Sequence, residues 1–302
     1  VITCLGLAPA LDVTYIVPEL ALGAIHRPSS TLMLAGGKSL NVARALRTVD
    51  VDARAIVPLG GRIGDVVRGA LEEEGIPATI VSTAVPTRTC VSIVDETSGA
   101  MTEVYEPAPP LDDEAWRGIL AVLADIEQGW LAVSGAIPAS REGDLATALA
   151  AAAERGVRLA LDIRGDALRA VLARTGPDLV KINRSEAEET FGAGDAASLA
   201  RRLHEAGAAA AIVTDGADGS AAINRTGTWR VRAPMRGRYT VGSGDSFLAG
   251  LLVSLTRGGA LPDALRTATA IAAANTLAPG AARFEAAEAR RLADLVTVTP
   301  TA

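Results

Sequence analysis

Short apolar runs, separated by amphipathic helical stretches, recur along this chain, and no other feature restricts the fold so strongly. VITCLGL (1–7), ARAIVPLGG (53–61), WLAVSGAIP (130–138), VRLALDI (157–163), DLVKIN (178–183) and AAAIVTDG (209–216) are apolar at consecutive rather than alternate positions. Such a strand is buried on both faces, the condition of a parallel sheet covered by helices. Helical spacing supplies the covers at 39–49, 64–75, 111–127, 141–155, 166–174, 185–191, 196–206, 244–257, 262–277 and near 285–295. Gly75 marks one helix stop. The alternation predicts an α/β fold with a mostly parallel central sheet between two helical layers.

Two regions break the pattern. DVTYIVPEL (12–20) and SSTLMLAGG (29–37) are extended without a helical period, and TRTCVSIVD (87–95) and AMTEVYEP (100–107) flank ETSG as a hairpin would. These inserts, at about 12–34 and 87–107, are expected to pair into a small β lid. A further hairpin is expected at 219–233. No linker, repeat or low-complexity tract divides the chain, so residues 1–302 read as one domain. Hydrophobic residues make up 49% and aromatics 3%, so the core must be built from Ala, Val, Leu and Ile.

Composition removes several function classes. No run reaches 18 uninterrupted apolar residues, which argues against a membrane span. The first residues lack a basic region and meet Asp12 early, unlike a signal peptide. Cys4 and Cys90 form no paired-cysteine motif and fit a reducing, cytoplasmic setting. His26 and His204 are too few for a histidine metal cluster. A net charge of −6 makes nucleic acid a poor partner; anions would have to be met by local cations and helix ends.

Two glycine turns carry the chemistry. LAGGKSLNVARAL (34–46) resembles a phosphate loop, but a Walker A motif needs a glycine where Leu32 stands. Lys38 and a helix starting near Ser39 can still bind an anion, and a turn with a solvated lysine is the competing reading. In YTVGSGDSFLAGLLVSL (239–255), Gly242-Ser243-Gly244 permits a turn that aims several N–H groups at one point, and Asp245 follows in the first turn of an apolar helix. A carboxylate beside stabilised negative charge suits a general base for an incoming hydroxyl; the alternative is a helix cap. A dinucleotide fingerprint fails because Phe247 occupies the third glycine's place.

These motifs carry a resemblance. GGKSLNVARAL is similar to the first signature of the PfkB sugar kinases, and TVGSGDSFLAG to the second, in the right order and over almost the whole chain. ALDVTY (10–15), LGAIHR (22–27), GGRIGD (60–65), RTC (88–90), SGAIP (134–138) and KINRSE (181–186) resemble the 1-phosphofructokinase and tagatose-6-phosphate kinase branch. The resemblance implies a ribokinase-like three-layer fold and ATP-dependent phosphorylation of a ketohexose phosphate, first of all fructose 1-phosphate to fructose 1,6-bisphosphate. Gly36, Gly37, Lys38, Asn41 and Asp12 would face the sugar, with Lys38, Arg27 and Arg88 available to its phosphate. Asp245 would be the base, with Gly242, Ser243 and Gly244 around the transferring group. Thr214, Gly216 and Gly219 would lie near the nucleotide phosphates or ribose, and Asn275 would approach the adenine, with an amide satisfied within the core as the equal competing reading. Asn183 and Glu186 would help place Mg²⁺, through water; as residues alone they read better as a helix-capping pair. A homodimer paired through the β lid is also implied.

The chain departs from the family pattern at Ala8, Ser39, Ala136, Arg164 and Ile182, several of them on the acceptor side. Tagatose 6-phosphate, fructose 6-phosphate, or an unphosphorylated sugar or nucleoside therefore remain alternative acceptors. A non-catalytic sugar-phosphate sensor is the reading outside enzymes.

Overall fold

A computed structural model describes residues 1–301. In chain order its elements begin with β1 (Ile2–Leu5), β2 (Ala10–Val17), β3 (Ser30–Gly36), α1 (Lys38–Thr48), β4 (Ala53–Leu59), α2 (Gly61–Glu73) and β5 (Ala78–Ser82). Then come β6 (Arg88–Asp95), β7 (Met101–Tyr105), α3 (Asp113–Ala124), β8 (Trp130–Ser134), α4 (Glu142–Glu154), β9 (Arg158–Asp162) and α5 (Gly165–Leu172). The remainder is β10 (Leu179–Asn183), α6 (Arg184–Phe191), α7 (Ala196–Glu205), β11 (Ala210–Thr214), β12 (Ser220–Asn224) and β13 (Gly227–Val231). Helices α8 (Ser243–Thr256), α9 (Leu261–Asn275) and α10 (Ala286–Ala293) precede the last strand, β14 (Val298–Thr301).

Ten strands form one sheet in the order β14-β13-β12-β11-β10-β9-β8-β1-β4-β5. The seven from β11 to β5 are parallel, and β12, β13 and β14 continue the sheet antiparallel. Side chains alternate between two cores. Trp130, Ala132, Ala160, Leu179 and Ile212 face the layer built by α1, α2, α8, α9 and α10. Leu131, Val133, Leu161, Val180 and Val213 face α3 to α7. Both faces are covered, which explains why these strands read as unbroken apolar runs.

The sequence pattern did not reveal β5 or β14. Both are edge strands, and alternate or successive residues of each are exposed. Pro300 is tolerated in β14 because an edge strand leaves one side unpaired.

A second sheet, β3-β2-β6-β7, combines the two inserts. Its central pair, β2 with β6, is parallel, while β3 and β7 flank it antiparallel. Strand β3 runs directly into α1 through Gly37, so this sheet is tied to the site by one peptide turn.

Candidate active site

From β1 the chain passes outward to β4 and β5 in one direction, and from β8 to β9, β10 and β11 in the other. Ligands of open α/β sheets sit outside the carboxyl ends of the strands at such a reversal. The ends found there are Gly6 after β1, Ser134 of β8, Asp162 of β9 and Thr214 of β11, and each lines one of two adjoining cavities.

The first cavity, of about 350 Å³, is lined by Asp12, Lys38, Asn41, Arg88, Gly242 and Asp245. Asp245 is 6% exposed. Its carboxylate accepts from Asn41 Nδ2 at 2.8 Å. Burial raises its pKa to about 6 against the opposing pull of Lys38. Burial likewise raises Asp12 to about 6, although Arg44 acts in the other direction. Gly36 lies against the Asp12 carboxylate, leaving no room for a Cβ between them. Lys38 Nζ is 2.8 Å from Glu186 Oε1 and 3.4 Å from Asp162 Oδ1. Burial alone would discharge this lysine, but Asp162 and Glu186 outweigh it and hold the ammonium form. Arg88 donates to the carbonyls of Glu106 (2.9 Å) and Ala8 (3.2 Å), and its Nε has no partner. Cys90 also faces this cavity, but burial pushes its thiol up to about 11 and it stays protonated at neutral pH.

The second cavity, of about 370 Å³, is lined by Thr214, Gly216, Gly219, Ser243 and Gly244, with Phe247 and Ala273 among its apolar groups. The turn at 242–245 therefore forms a wall with Gly242 and Asp245 on one side and Ser243 and Gly244 on the other. Gly242 takes φ +77°, and a Cβ there would lie 2.6 Å from the Ala282 nitrogen, so only glycine makes this turn. No side chain caps α8 or α1, whose N-cap residues are Gly242 and Gly37. Two helix N-termini thus present uncapped N–H groups and positive dipole ends to the junction. Asp245 is not a cap: it lies inside the first turn and points into the first cavity.

The predicted set is not brought together completely. Arg27 is exposed in the connection between β2 and β3 and lines neither cavity of its own chain. Asn275 follows the core reading of the two. Its Nδ2 donates to Val241 O (2.9 Å) and Ser243 Oγ (3.0 Å), and its Oδ1 accepts from Ala282 N–H (2.7 Å). Fully buried and fully used, it braces the 242–245 turn and is not free to read a base. Asn183 and Glu186 form a reciprocal capping box at α6, while Glu186 also lines the first cavity through its contact with Lys38. Ser39 packs on Gly6, where a Cβ would overlap its Oγ; the glycine accommodates the departure at 39. Arg164 lines the cavity from its exposed rim and lies 3.5 Å from Glu189.

Sequence reasoning missed Asp162 and Lys181. Lys181 Nζ donates to Asp162 Oδ2 at 3.2 Å. It is 2% exposed and lies 2.9 Å from where a Cβ of Gly244 would be. Burial would raise the Asp162 carboxyl, but Lys181 and Lys38 together hold it below the ordinary range. The signal was present: a charged residue in each of the neighbouring runs LALDI and DLVKIN, close to the strand ends where such sheets bind ligands.

The pfkB carbohydrate kinase family matches residues 2–287. The chain belongs to the pfkB family of carbohydrate kinases. It is 30% identical over 285 residues to the ATP-dependent 6-phosphofructokinase isozyme 2 of Escherichia coli K12, covering 91% of this chain and 92% of that one. It is 29% identical over 269 residues to the 1-phosphofructokinase of Bacillus subtilis, covering 86% and 87%. Its fold superposes on phosphofructokinase-2 from Escherichia coli, solved in complex with potassium, with a TM-score of 0.90 at 27% identity over 97% of this chain and 98% of that one.

Proposed function

We propose that this kinase transfers the γ-phosphoryl group of ATP to a ketohexose phosphate, with fructose 1-phosphate the first candidate and fructose 1,6-bisphosphate its product. The observation that carries the reading is the shared wall: one glycine turn separates a polar, cation-bearing cavity from a more apolar one, with a buried carboxylate on the polar side. ATP occupies the cavity of Thr214, Gly216 and Gly219. The sugar phosphate occupies the cavity of Asp12, Asn41 and Arg88.

Asp245 takes the proton of the acceptor hydroxyl as that oxygen attacks the γ-phosphorus in line. Its pKa of about 6 leaves it ionised yet basic at neutral pH. The backbone N–H groups at the start of α8 and the Lys181 ammonium meet the charge that builds on the transferring oxygens. Asp12 and Asn41 orient sugar hydroxyls. Arg88 meets the acceptor's phosphate, where Nη1 and Nη2 of its planar fork, each giving one N–H to a carbonyl, have a second N–H for phosphate oxygens. Closing of the four-stranded sheet over the cavity excludes water, the competing acceptor.

Mg²⁺ fits this donor set only as a hydrated ion. Among the described residues no three His, Cys, Asp or Glu side chains form a metal cage. Glu186 already accepts from Lys38 through Oε1 and from the Asn183 N–H through Oε2. Glu186 and Asn183 would therefore meet the ion through its waters, and it would supply charge neutralisation on the nucleotide phosphates.

A second acceptor, fructose 6-phosphate, is favoured by the Escherichia coli relative, whose phosphofructokinase-2 has been solved in complex with that sugar at 26% identity to this chain. The deciding experiment measures ADP release with Mg-ATP against fructose 1-phosphate, fructose 6-phosphate, tagatose 6-phosphate, free fructose, ribose and adenosine. Turnover confined to ketose phosphates is expected. Turnover with a free sugar or nucleoside would overturn the phosphate role of Arg88 and Lys38.

A further inference from the structure

Asn41 Nδ2 donates to Asp245 Oδ2 at 2.8 Å, and an amide can turn either end towards a carboxylate. Only its NH₂ end is attractive. Arg44, one turn further along α1, donates from Nη1 to Asn41 Oδ1 at 2.8 Å. A guanidinium carries donors only, so this contact is satisfied when the amide oxygen faces Arg44 and the NH₂ faces Asp245.

The same side chain is 7% exposed and gives four hydrogen bonds in all. Nη1 also donates to Ala281 O (3.0 Å), Nη2 to Ala35 O (2.5 Å) and Nε to Glu74 Oε2 (2.5 Å). Glu74 Oε1 accepts the Ala35 N–H at 3.0 Å, so both backbone groups of Ala35 are bound by this pair. Ala35 is the penultimate residue of β3, immediately before Gly36 and Gly37. Ala281 precedes Ala282, whose N–H bonds to Asn275, and Asn275 braces the turn before Asp245. One buried cation thus touches the partner of the base, the end of the lid strand and the segment behind the glycine turn.

We propose that Arg44, held by Glu74, is a positioning residue for phosphoryl transfer: it fixes the Asn41 amide to donate to Asp245 and couples that orientation to the seating of β3 and of segment 281–282. The catalytic part of this inference rests on Asp245 as base. A lysine at 44 keeps the charge but replaces a planar fork with one donor centre, which cannot span acceptors on three sides. Arg44→Lys therefore separates geometry from charge. The other groups facing Asp245 stay in place: Lys38 of α1, Asp162 of β9, Lys181 of β10 and, across the cavity, Asp12 of β2.

The test is a carbon-13 NMR titration of the full chain labelled at aspartate carboxyls, with the Asp245 signal assigned by its loss in Asp245→Asn. Freed of Arg44, the amide no longer donates steadily, and the Asp245 midpoint moves up in Arg44→Lys. Glu74→Gln moves it in the same direction by less and serves if the first variant does not fold. A midpoint unmoved in a folded variant overturns the proposal. In turnover with fructose 1-phosphate or fructose 6-phosphate, Arg44→Lys lowers kcat roughly 10- to 100-fold at neutral pH, with the loss shrinking at higher pH. The KM for ATP stays unchanged. Because part of the Arg44 effect runs through Asn41, the double variant Asn41→Ala with Arg44→Lys loses less than the product of the two single losses. A uniform loss at all pH values, or additive losses, would make Arg44 structural only. Retained turnover in Asp245→Asn would remove the base reading instead, leaving the titration to judge the Arg44 contact by itself.

Discussion

Asp245 gathers its chemistry from its surroundings rather than from its own side chain. Burial raises the carboxyl to about 6, and the Asn41 donor and nearby lysines keep it from rising further. A base works unprotonated, so kcat is expected to fall as pH drops through about 6 and to level off above it. A pH–rate profile that is flat from pH 5 to 8 would contradict this assignment. Arg88 makes a different contribution. Arg88→Ala is expected to raise the KM of a phosphorylated acceptor by about 10-fold or more while kcat changes little, the signature of lost uniform binding. An unchanged KM would place the sugar phosphate elsewhere. At this scale the sequence was partly legible. Asp245, Lys38 and Asn41 stand beside glycine turns, where polar residues are conspicuous, whereas Asp12, inside a strand run, was reached only through the family resemblance. Lys181 and Asp162 were hidden inside apolar strand runs, because the role of each depends on the other across the β9–β10 pairing. Asn275 left two readings open because a single amide on an alanine-rich helix says nothing about which loop will consume it.

The elements that meet at the junction share one device. Helices α1 and α8 both follow a glycine N-cap and both lack a side-chain cap, and the residues that open them, Lys38 and Ser39 of α1 and Ser243 and Gly244 of α8, line the cavities. Helices α3, α6 and α7 are capped by Asp112, Asn183 and Asp195, whereas α2, α4, α5, α9 and α10 lack a side-chain cap too, so it is their position at the cavities that sets α1 and α8 apart. Gly242 sets the second start through its left-handed backbone and its contact with the 281–282 segment. Gly242→Ala is expected to lower kcat by roughly 10²-fold, with a smaller change in the KM for the acceptor, since it displaces the N–H groups and the base together. Its thermal midpoint should fall as well, because alanine at positive φ is strained. Wild-type kcat in that variant would deny the turn any role in transfer. Parallel strands and their helices were readable because burial on both faces leaves an apolar run and a helical period. β5 and β14 were not, because half-exposed edge strands carry no such run.

Over the whole molecule, the four-stranded sheet explains a surface that the central sheet does not need. Leu22, Ile25, Met33 and Val104 are large, apolar and exposed on this sheet or in the connection between β2 and β3; Met33 and Val104 share one face through the row of Val13 and Val91, whereas Tyr105 turns to the other face and lines the first cavity. An uncovered apolar sheet face favours association. We expect a homodimer by sedimentation at micromolar concentration, weakened by Val104→Glu; a monomer at all concentrations would leave that face to another partner. The two inserts could be located in the sequence because they interrupt the α/β alternation. That β2 and β6 pair in parallel could not, since nothing in either strand encodes its neighbour across some seventy residues.

The claim on which the rest depends is that Asp245 removes the proton of a sugar hydroxyl beside bound ATP. Single-turnover kinetics of Asp245→Asn with Mg-ATP and the preferred ketose phosphate, alongside nucleotide binding by calorimetry, test it most directly. The account predicts phosphoryl transfer slowed by roughly 10²–10⁴-fold, with nucleotide affinity retained. Transfer at close to the wild-type rate would contradict it.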